Sequence, residues 1–406
     1  MNDNPAAPRR ASVDALLAFA WNAGVFVSAD AMAATGLTRS TAIDALDELI
    51  EIGLLRELPN ARSVGEYSKG RPSRRFELRS DAAVVIGMDA GRSHLTTSVA
   101  DLRGDVLVRL TTELDLENET ADARREAVQG AADAALAAAG VARTSVLAAC
   151  VGVPAPVDAR GVSPEHRDDF WWRMNPDLRA MLGEWIPIVR IENDAALAAV
   201  AEGAVGAAVD CSDYIVVLAG DRLGAGVVSD GRLLRGAHGG AGEAIAFDSV
   251  EGVRSAYGIG SQITTWVRDD VSSGVLPVGH PLRDVPIDGL TGRDAIELAR
   301  TGDPWALTIV QRAGLMTARI IAVYSSFFDP ARFIISGAVA DGLDEVLHVA
   351  RVHLAKELHL PVPELALSTL GANSVAIGAV SAAIEAAQAG VLHLAGGARQ
   401  PLNRAG

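Results

Sequence analysis

Apolar positions in the first eighty residues recur three times at helical spacing and then give way to alternation. Val13, Leu16, Leu17 and Ala20 share one helical face, and Asn22-Ala23-Gly24 ends that helix. Ser28 is the expected cap of a second helix over Ala29–Thr35, which stops at Gly36. Thr38 is the expected cap of a third helix reaching Ile52, with Ile43, Leu46, Leu49 and Ile50 as its buried stripe. That stripe leaves Arg39, Ser40, Thr41 and Asp44 facing outward on its first turns. Leu54–Leu58 and Arg74–Leu78 read as two strands, joined by a loop that carries Lys69-Gly70-Arg71-Pro72-Ser73-Arg74-Arg75. Helix, tight turn, helix and a basic-tipped hairpin predict a winged helix-turn-helix over residues 1–80. Its candidate DNA contacts are Thr38, Arg39, Ser40 and Thr41 for base edges, and Lys69, Arg71, Arg74 and Arg75 for backbone or minor groove. The competing reading is a three-helix bundle with a solvated basic loop.

Beyond Asp81 strands alternate with helices. Ala83–Met88 is a buried strand that ends in Asp89-Ala90-Gly91-Arg92-Ser93. Strands over Leu95–Ala100 and Val106–Leu110, an Ala-rich helix over Ala121–Ala139 and a strand over Val146–Gly152 follow. Gly152–Asp158 predicts a rigid turn, and Ile188–Glu192 a strand that delivers Asn193-Asp194 to a helix over Ala195–Gly206. Tyr214–Leu218 and Gly224–Val228 form a further hairpin. Helices from about Thr291 to Ser326, a strand over Phe333–Ser336 and a final helix over Ser374–Ala387 close the chain, with a loosely ordered tail expected from Gly390. The fold class expected is α/β, an N-terminal winged helix followed by an actin-like, ribonuclease H-like two-lobed ATPase fold over 81–406. Its lobes are expected at 81–193 plus 376–390 and at 194–375.

Composition narrows the function. Hydrophobic residues at 49% and charged ones at 21% are globular proportions, and no uninterrupted apolar run reaches the roughly 20 residues of a membrane span. No membrane partner is expected, and the polar start predicts a cytoplasmic protein. Two cysteines, Cys150 and Cys211, are too few for a disulfide framework or a cysteine-rich zinc site. A net charge of −15 argues at first against DNA, but the first eighty residues hold ten basic and ten acidic side chains. All the excess negative charge lies beyond them, so the acidic bulk restricts DNA contact to the neutral N-terminal unit.

Several stretches together resemble the ROK family of repressors and sugar kinases. They are the Gly70-Arg71-Pro72 wing, Met88-Asp89-Ala90-Gly91, Gly152-Val153-Pro154-Ala155-Pro156-Val157, Glu192-Asn193-Asp194-Ala195-Ala196, Gly224-Ala225-Gly226, Ala241-Gly242-Glu243 and Ile335-Ser336-Gly337. They occur in the family's order along nearly the whole chain. The resemblance implies sugar contacts at Asn193, Asp194 and Glu243, with Asp194 at the position of the kinases' general base. For Asn193-Asp194 helix capping is the plainer alternative, and for Glu243 a loop contact.

The departures matter as much. Kinase members carry Gly-Thr after the Asp-x-Gly turn, where this chain has Arg92-Ser93, and their second loop resembles Gly-Thr-Gly-Ile-Gly, where it has Gly220-Asp221-Arg222-Leu223-Gly224. A carboxylate at Asp221 repels a triphosphate, so loss of ATP binding and phosphoryl transfer is expected. The family's cysteine cluster is missing from Val253–Gly260, and Ala246 replaces its histidine. The expectation is therefore a DNA-binding regulator, a repressor, that reads a double-stranded operator as a homodimer or higher homo-oligomer. It senses a sugar or sugar derivative, with no catalytic residue, cofactor or metal. The alternatives are a sugar kinase with an appended DNA-binding domain and a ligand-independent scaffold. His238 is expected to be structural, and Trp171-Trp172 to stack on a ligand or, as such aromatic pairs more often do, to pack the interior or a dimer interface.

Overall fold

The computed structural model describes residues 6–59, 74–165, 169–253 and 255–397. Its N-terminal unit consists of α1 (Ala6–Asn22), β1 (Phe26–Val27), α2 (Ser28–Thr35), α3 (Arg39–Glu51), β2 (Leu55–Leu58) and β3 (Arg75–Leu78). The strands form an antiparallel sheet in the order β1-β3-β2. Leu16, Leu17, Leu46, Leu49 and Phe76 make the sealed centre of this unit, and Phe26 meets the Phe19 ring edge-on at 5.1 Å. Thr38 caps α3 as expected, accepting the Thr41 N–H. At α2 the expectation fails: the Val27 N–H donates to the Asp30 carboxylate at 2.9 Å, so Ser28 lies inside the helix. Two-residue β1 has no alternation for a sequence pattern to detect.

The larger part contains two sheets built alike. The first takes β4 (Val84–Ala90), β5 (His94–Asp101), β6 (Val106–Glu113), β7 (Val146–Val153) and β8 (Ile188–Asn193), with α4 (Ala121–Ala139), α5 (Phe170–Met174) and α6 (Leu178–Gly183) between them. After α7 (Asp194–Val205), the second takes β9 (Tyr214–Ala219), β10 (Leu223–Ser229), β11 (Arg232–Leu234), and then, beyond α8 (Ile259–Ser272), α9 (Gly292–Arg300) and α10 (Pro304–Phe328), β12 (Arg332–Ser336). α11 (Asp344–Glu357) and β13 (Glu364–Leu367) complete it, and α12 (Ser374–Gly397) ends the described chain. The strand orders β6-β5-β4-β7-β8 and β11-β10-β9-β12-β13 are equivalent, each with an antiparallel meander on one side and parallel strands on the other.

Strand alternation sorts the core. Ile86 and Met88 face α4 with Val128 and Ala132, whereas Val85, Ala148 and Cys150 face α12. A methyl group on Gly87 would lie 2.4 Å from the Val380 backbone nitrogen, so β4 and α12 touch main chain to main chain. The expected loose tail is in fact helix through Gly397, and Val391 is fully buried. α12 packs on α7, β4, β7, β8 and α1, which explains why it is apolar nearly all round. α10 and α12 are long and apolar enough to cross a membrane by composition, but both bury much of that surface inside the protein. The N-terminal unit docks beside α12, with Arg103 donating to the carbonyls of Trp21 and Ala23.

Candidate functional site

β8 and α7 meet at Asn193, and the capping alternative holds for this residue. Its Oδ1 accepts the Ala196 N–H at 3.0 Å and its Nδ2 donates to the Ala155 carbonyl at 3.2 Å, tying the Pro154–Val157 turn to α7. Asp194 is the first residue of α7, and its Oδ1 accepts the Ala195 N–H at 2.7 Å. β10 reaches it because Gly226 has no side chain: a Cβ there would lie 2.4 Å from the Ala195 carbonyl oxygen. Glu243 pairs with Gly224 on that strand and so comes near Asp194. Burial pushes the Asp194 carboxyl up to about 7, with Asp89 and then Glu243 adding repulsion against the N–H bond from Ala195. Burial also raises Glu243, opposed by Arg222. Asp194 and Glu243, near enough for Glu243 to act on Asp194 and both poorly solvated, can accept hydrogen bonds from neighbouring hydroxyls of a polyol.

The turns that would hold phosphates are engaged within the protein. His94 folds over Gly91, where a methyl group would lie 2.6 Å from its ring, and its Nε2 is 3.2 Å from the Asp89 carboxylate. That bond raises the imidazole above its ordinary range. Buried Arg124 donates to the Gly91 carbonyl at 2.7 Å and also to Ala90, and burial lowers it to about 10. Arg92 is held by Glu119 at 2.6 Å and is also under the influence of Asp221 across the cleft. In the second loop the Leu223 N–H is taken by the Ala256 carbonyl at 2.8 Å, and Arg222 stacks on Tyr257 at 5.4 Å. Sequence reasoning missed Arg124, although it lies on the stripe of Val128 and Ala132 at i, i+4, i+8. His94 and Tyr257 carry no such signal.

The residues at the family's zinc position do not fit that metal. Ala246 is exposed, and among the described residues no group of three His, Cys, Asp or Glu side chains could hold an ion. An apolar plug does the stapling instead. Phe247 is buried 5.3 Å from the Tyr324 ring, Tyr324 donates to the Gly242 carbonyl at 2.9 Å, and Asp248 accepts the Ala256 N–H at 2.8 Å. Phe247→Ala is expected to cost about 3–5 kcal/mol of stability, while a metal chelator leaves the melting temperature unchanged. Denaturant titration and thermal melting check both; a chelator-sensitive melt would sink the apolar-plug account.

On the N-terminal unit, Thr38, Arg39 and Ser40 are exposed and Thr41 is half-buried at the start of α3. The Thr38 hydroxyl lies 3.2 Å from that of Ser40 and 2.9 Å from that of Thr41, so the three are already clustered. Arg74 is bound to Asp47 at 2.8 Å and Glu57 at 2.9 Å and lies over Phe76, bracing β3 against α3. Arg75 is half-buried, and Lys69 and Arg71 fall outside the described residues. His238 is exposed. Trp171 packs at the margin of the α4 core, whereas Trp172 is exposed.

Comparison with known proteins sharpens these observations. The sequence model of the ROK family matches residues 85–245 and 255–386. The chain is 26% identical over 310 residues to the DNA-binding transcriptional dual regulator NagC of Escherichia coli, covering 74% of this chain and 73% of NagC. It is also 26% identical over 322 residues to a glucokinase of Streptomyces coelicolor, covering 74% of this chain and 98% of the kinase. Among solved structures, a ROK family transcriptional regulator homologous to the E. coli MLC protein superposes with a TM-score of 0.73 at 21% identity, over 95% of this chain and 98% of that one. A ROK glucokinase from Streptomyces griseus, in complex with glucose and AMPPNP, superposes with a TM-score of 0.63 at 25% identity, over 75% of this chain and 100% of the kinase.

Proposed function

Since the chain belongs to the ROK family, we propose that it is a DNA-binding transcriptional regulator whose actin-like part senses a sugar. The observation that carries this reading is the N-terminal unit itself. It places three helices and a three-stranded sheet ahead of the actin-like fold and exposes Arg39 and a hydroxyl cluster at the start of α3. We read it as a winged helix-turn-helix with α3 as the recognition helix. The regulator structure aligns with the chain over 95% of its length, the glucokinase over only 75%, which supports the same reading.

The cleft supports sensing over phosphoryl transfer. His94 lies over the first turn, the Leu223 amide of the second is already used, and Arg92 and Asp221 attract one another where a triphosphate would have to enter. Asp194 then accepts a sugar hydroxyl without activating it toward phosphate. Binding between the lobes would shift their closure, and α12, which touches both α7 and α1, would pass that shift to the reader. A homodimer would present two such readers to a two-fold related operator.

Operator fragments recovered by genome-wide capture provide the assay. Substitution of Ser40 or Thr41 is expected to change base preference, with each lost contact costing about 1–3 kcal/mol. Arg71→Ala is expected to weaken binding to all sequences and to flatten the salt dependence. Neither change affecting binding would refute the DNA reading. Glucose and N-acetylglucosamine are the first sugars to test, because the relatives include glucokinases and an N-acetylglucosamine repressor that is 26% identical to this chain. Steady ATP turnover with either one would favour the kinase alternative.

A further inference from the structure

A cavity lies at β8, and neither Asp194 nor Glu243 lines it. Its volume is about 310 Å³, and its lining includes Asp158, Gly161, Arg179, Arg190, Glu192 and Arg235. β8 is the last strand of its sheet, so its outer backbone edge has no strand partner. The lining comes from both halves of the fold. Arg179 stands on α6 and Arg190 on β8, but Arg235 follows β11 of the second sheet. The loop it opens rests on the first lobe: a Cβ on Gly239 would lie 2.2 Å from the Val157 carbonyl oxygen.

Charge in this cavity is unbalanced. Three guanidinium groups converge there, and the buried Glu192 answers two of them through a single oxygen, at 3.1 Å from Arg190 and 2.7 Å from Arg235. Arg190 also reaches the exposed Glu385 at 2.9 Å on the outer side. Asp158 is already committed, to the Arg160 guanidinium at 2.9 Å and to the N–H groups of Arg160 and Val162. Arg179 is exposed, and its hydrogen bond goes to a neutral carbonyl, that of Arg160. An oxyanion seated here would meet donors with fork geometry on two sides and would draw Arg235 toward β8.

We propose that this cavity is an anion site, taking the phosphate or carboxylate group of a small metabolite and clamping the two lobes together through Arg179, Arg190 and Arg235. It is independent of the DNA-binding reading and of the Asp194 cleft. The test is calorimetric titration of the full chain with inorganic phosphate, and separately with citrate, at constant ionic strength. At least one is expected to bind saturably, and the one that binds identifies the group as phosphate or carboxylate. Arg179→Ala and Arg235→Ala are expected to weaken that binding by about tenfold or more, whereas Arg143→Ala, in a pair with Asp133 elsewhere, leaves it unchanged. Arg179 is exposed, so its truncation should leave the melting temperature intact even where Arg235→Ala disturbs folding. Asp194→Asn should retain the anion affinity. Absence of saturable binding by either anion overturns the proposal, as does an affinity that Arg179→Ala does not change.

Discussion

Asp194→Asn is expected to lower sugar affinity by about tenfold or more while leaving operator binding in the absence of sugar unchanged. The carboxylate accepts from a hydroxyl more strongly than an amide can, and its neighbours leave it little else to do, because one oxygen already accepts the Ala195 N–H. The same substitution should stabilise the fold with a defined pH dependence. The native carboxyl titrates near about 7, whereas an unfolded aspartate titrates at about 3.9. Between those values the native state holds a proton that the unfolded state has lost, so the wild-type protein loses stability as pH rises through that window. The melting temperature of the variant should therefore match the wild type near pH 4, exceed it increasingly up to about pH 7 and keep a constant margin above. Thermal melts across pH, with calorimetry against glucose and N-acetylglucosamine, give both readouts. An unchanged sugar response would remove Asp194 from the site, and a flat melting difference would mean that its carboxyl is better solvated than the fold implies.

Much of the fold around the candidate site is legible in the chain because its motifs are bound to element ends. α4 begins and stops where the sequence says, since Thr120 caps it and Gly140 leaves it in a left-handed turn. Asp194 and Glu243 are singled out by the family resemblance, and each sits where a strand or loop hands over to the next element. What stayed hidden depends on distant packing. The expected last helix ends at Ala387 with a loose tail from Gly390, but Gly390 is the point where α12 crosses β8 against Ile188, so the helix continues past it. α8 opens on Gly258 and mixes polar residues into its first turns, which masks the stripe of Ile259, Ile263 and Val267. His94 closes over Gly91 only because β5 returns beside β4, a contact that no local spacing announces. Asn193 shows the limit from the other side: its motif points to a ligand, and the fold also uses it to cap α7 and to bind the Ala155 carbonyl, which leaves one amide hydrogen and one lone pair.

The largest structural effect should come from Val391→Asp. Val391 is fully buried near the end of α12, in the cluster that continues into Leu16, Leu17 and Trp21 of α1. Close by, Arg10 on α1 hydrogen-bonds His393. A carboxylate placed there is buried among the apolar side chains of this cluster, and a buried charge without a partner costs about 3–5 kcal/mol. That loss falls on the contact between the reader and the larger part, because the first half of α12 stays seated on Gly87 and α7. The expected result is a chain that still binds sugar and operator separately, with the sugar no longer altering operator affinity. Limited proteolysis should then cut near Ser80 faster than in the wild type. Ala389→Asp is the control: this position is exposed on the same helix, and the change should cost under about 1 kcal/mol. If Val391→Asp keeps the sugar effect on DNA, the signal does not pass through α12, and the contacts of Arg103 with the carbonyls of Trp21 and Ala23 and of Leu102 with that of Ser80 offer other routes.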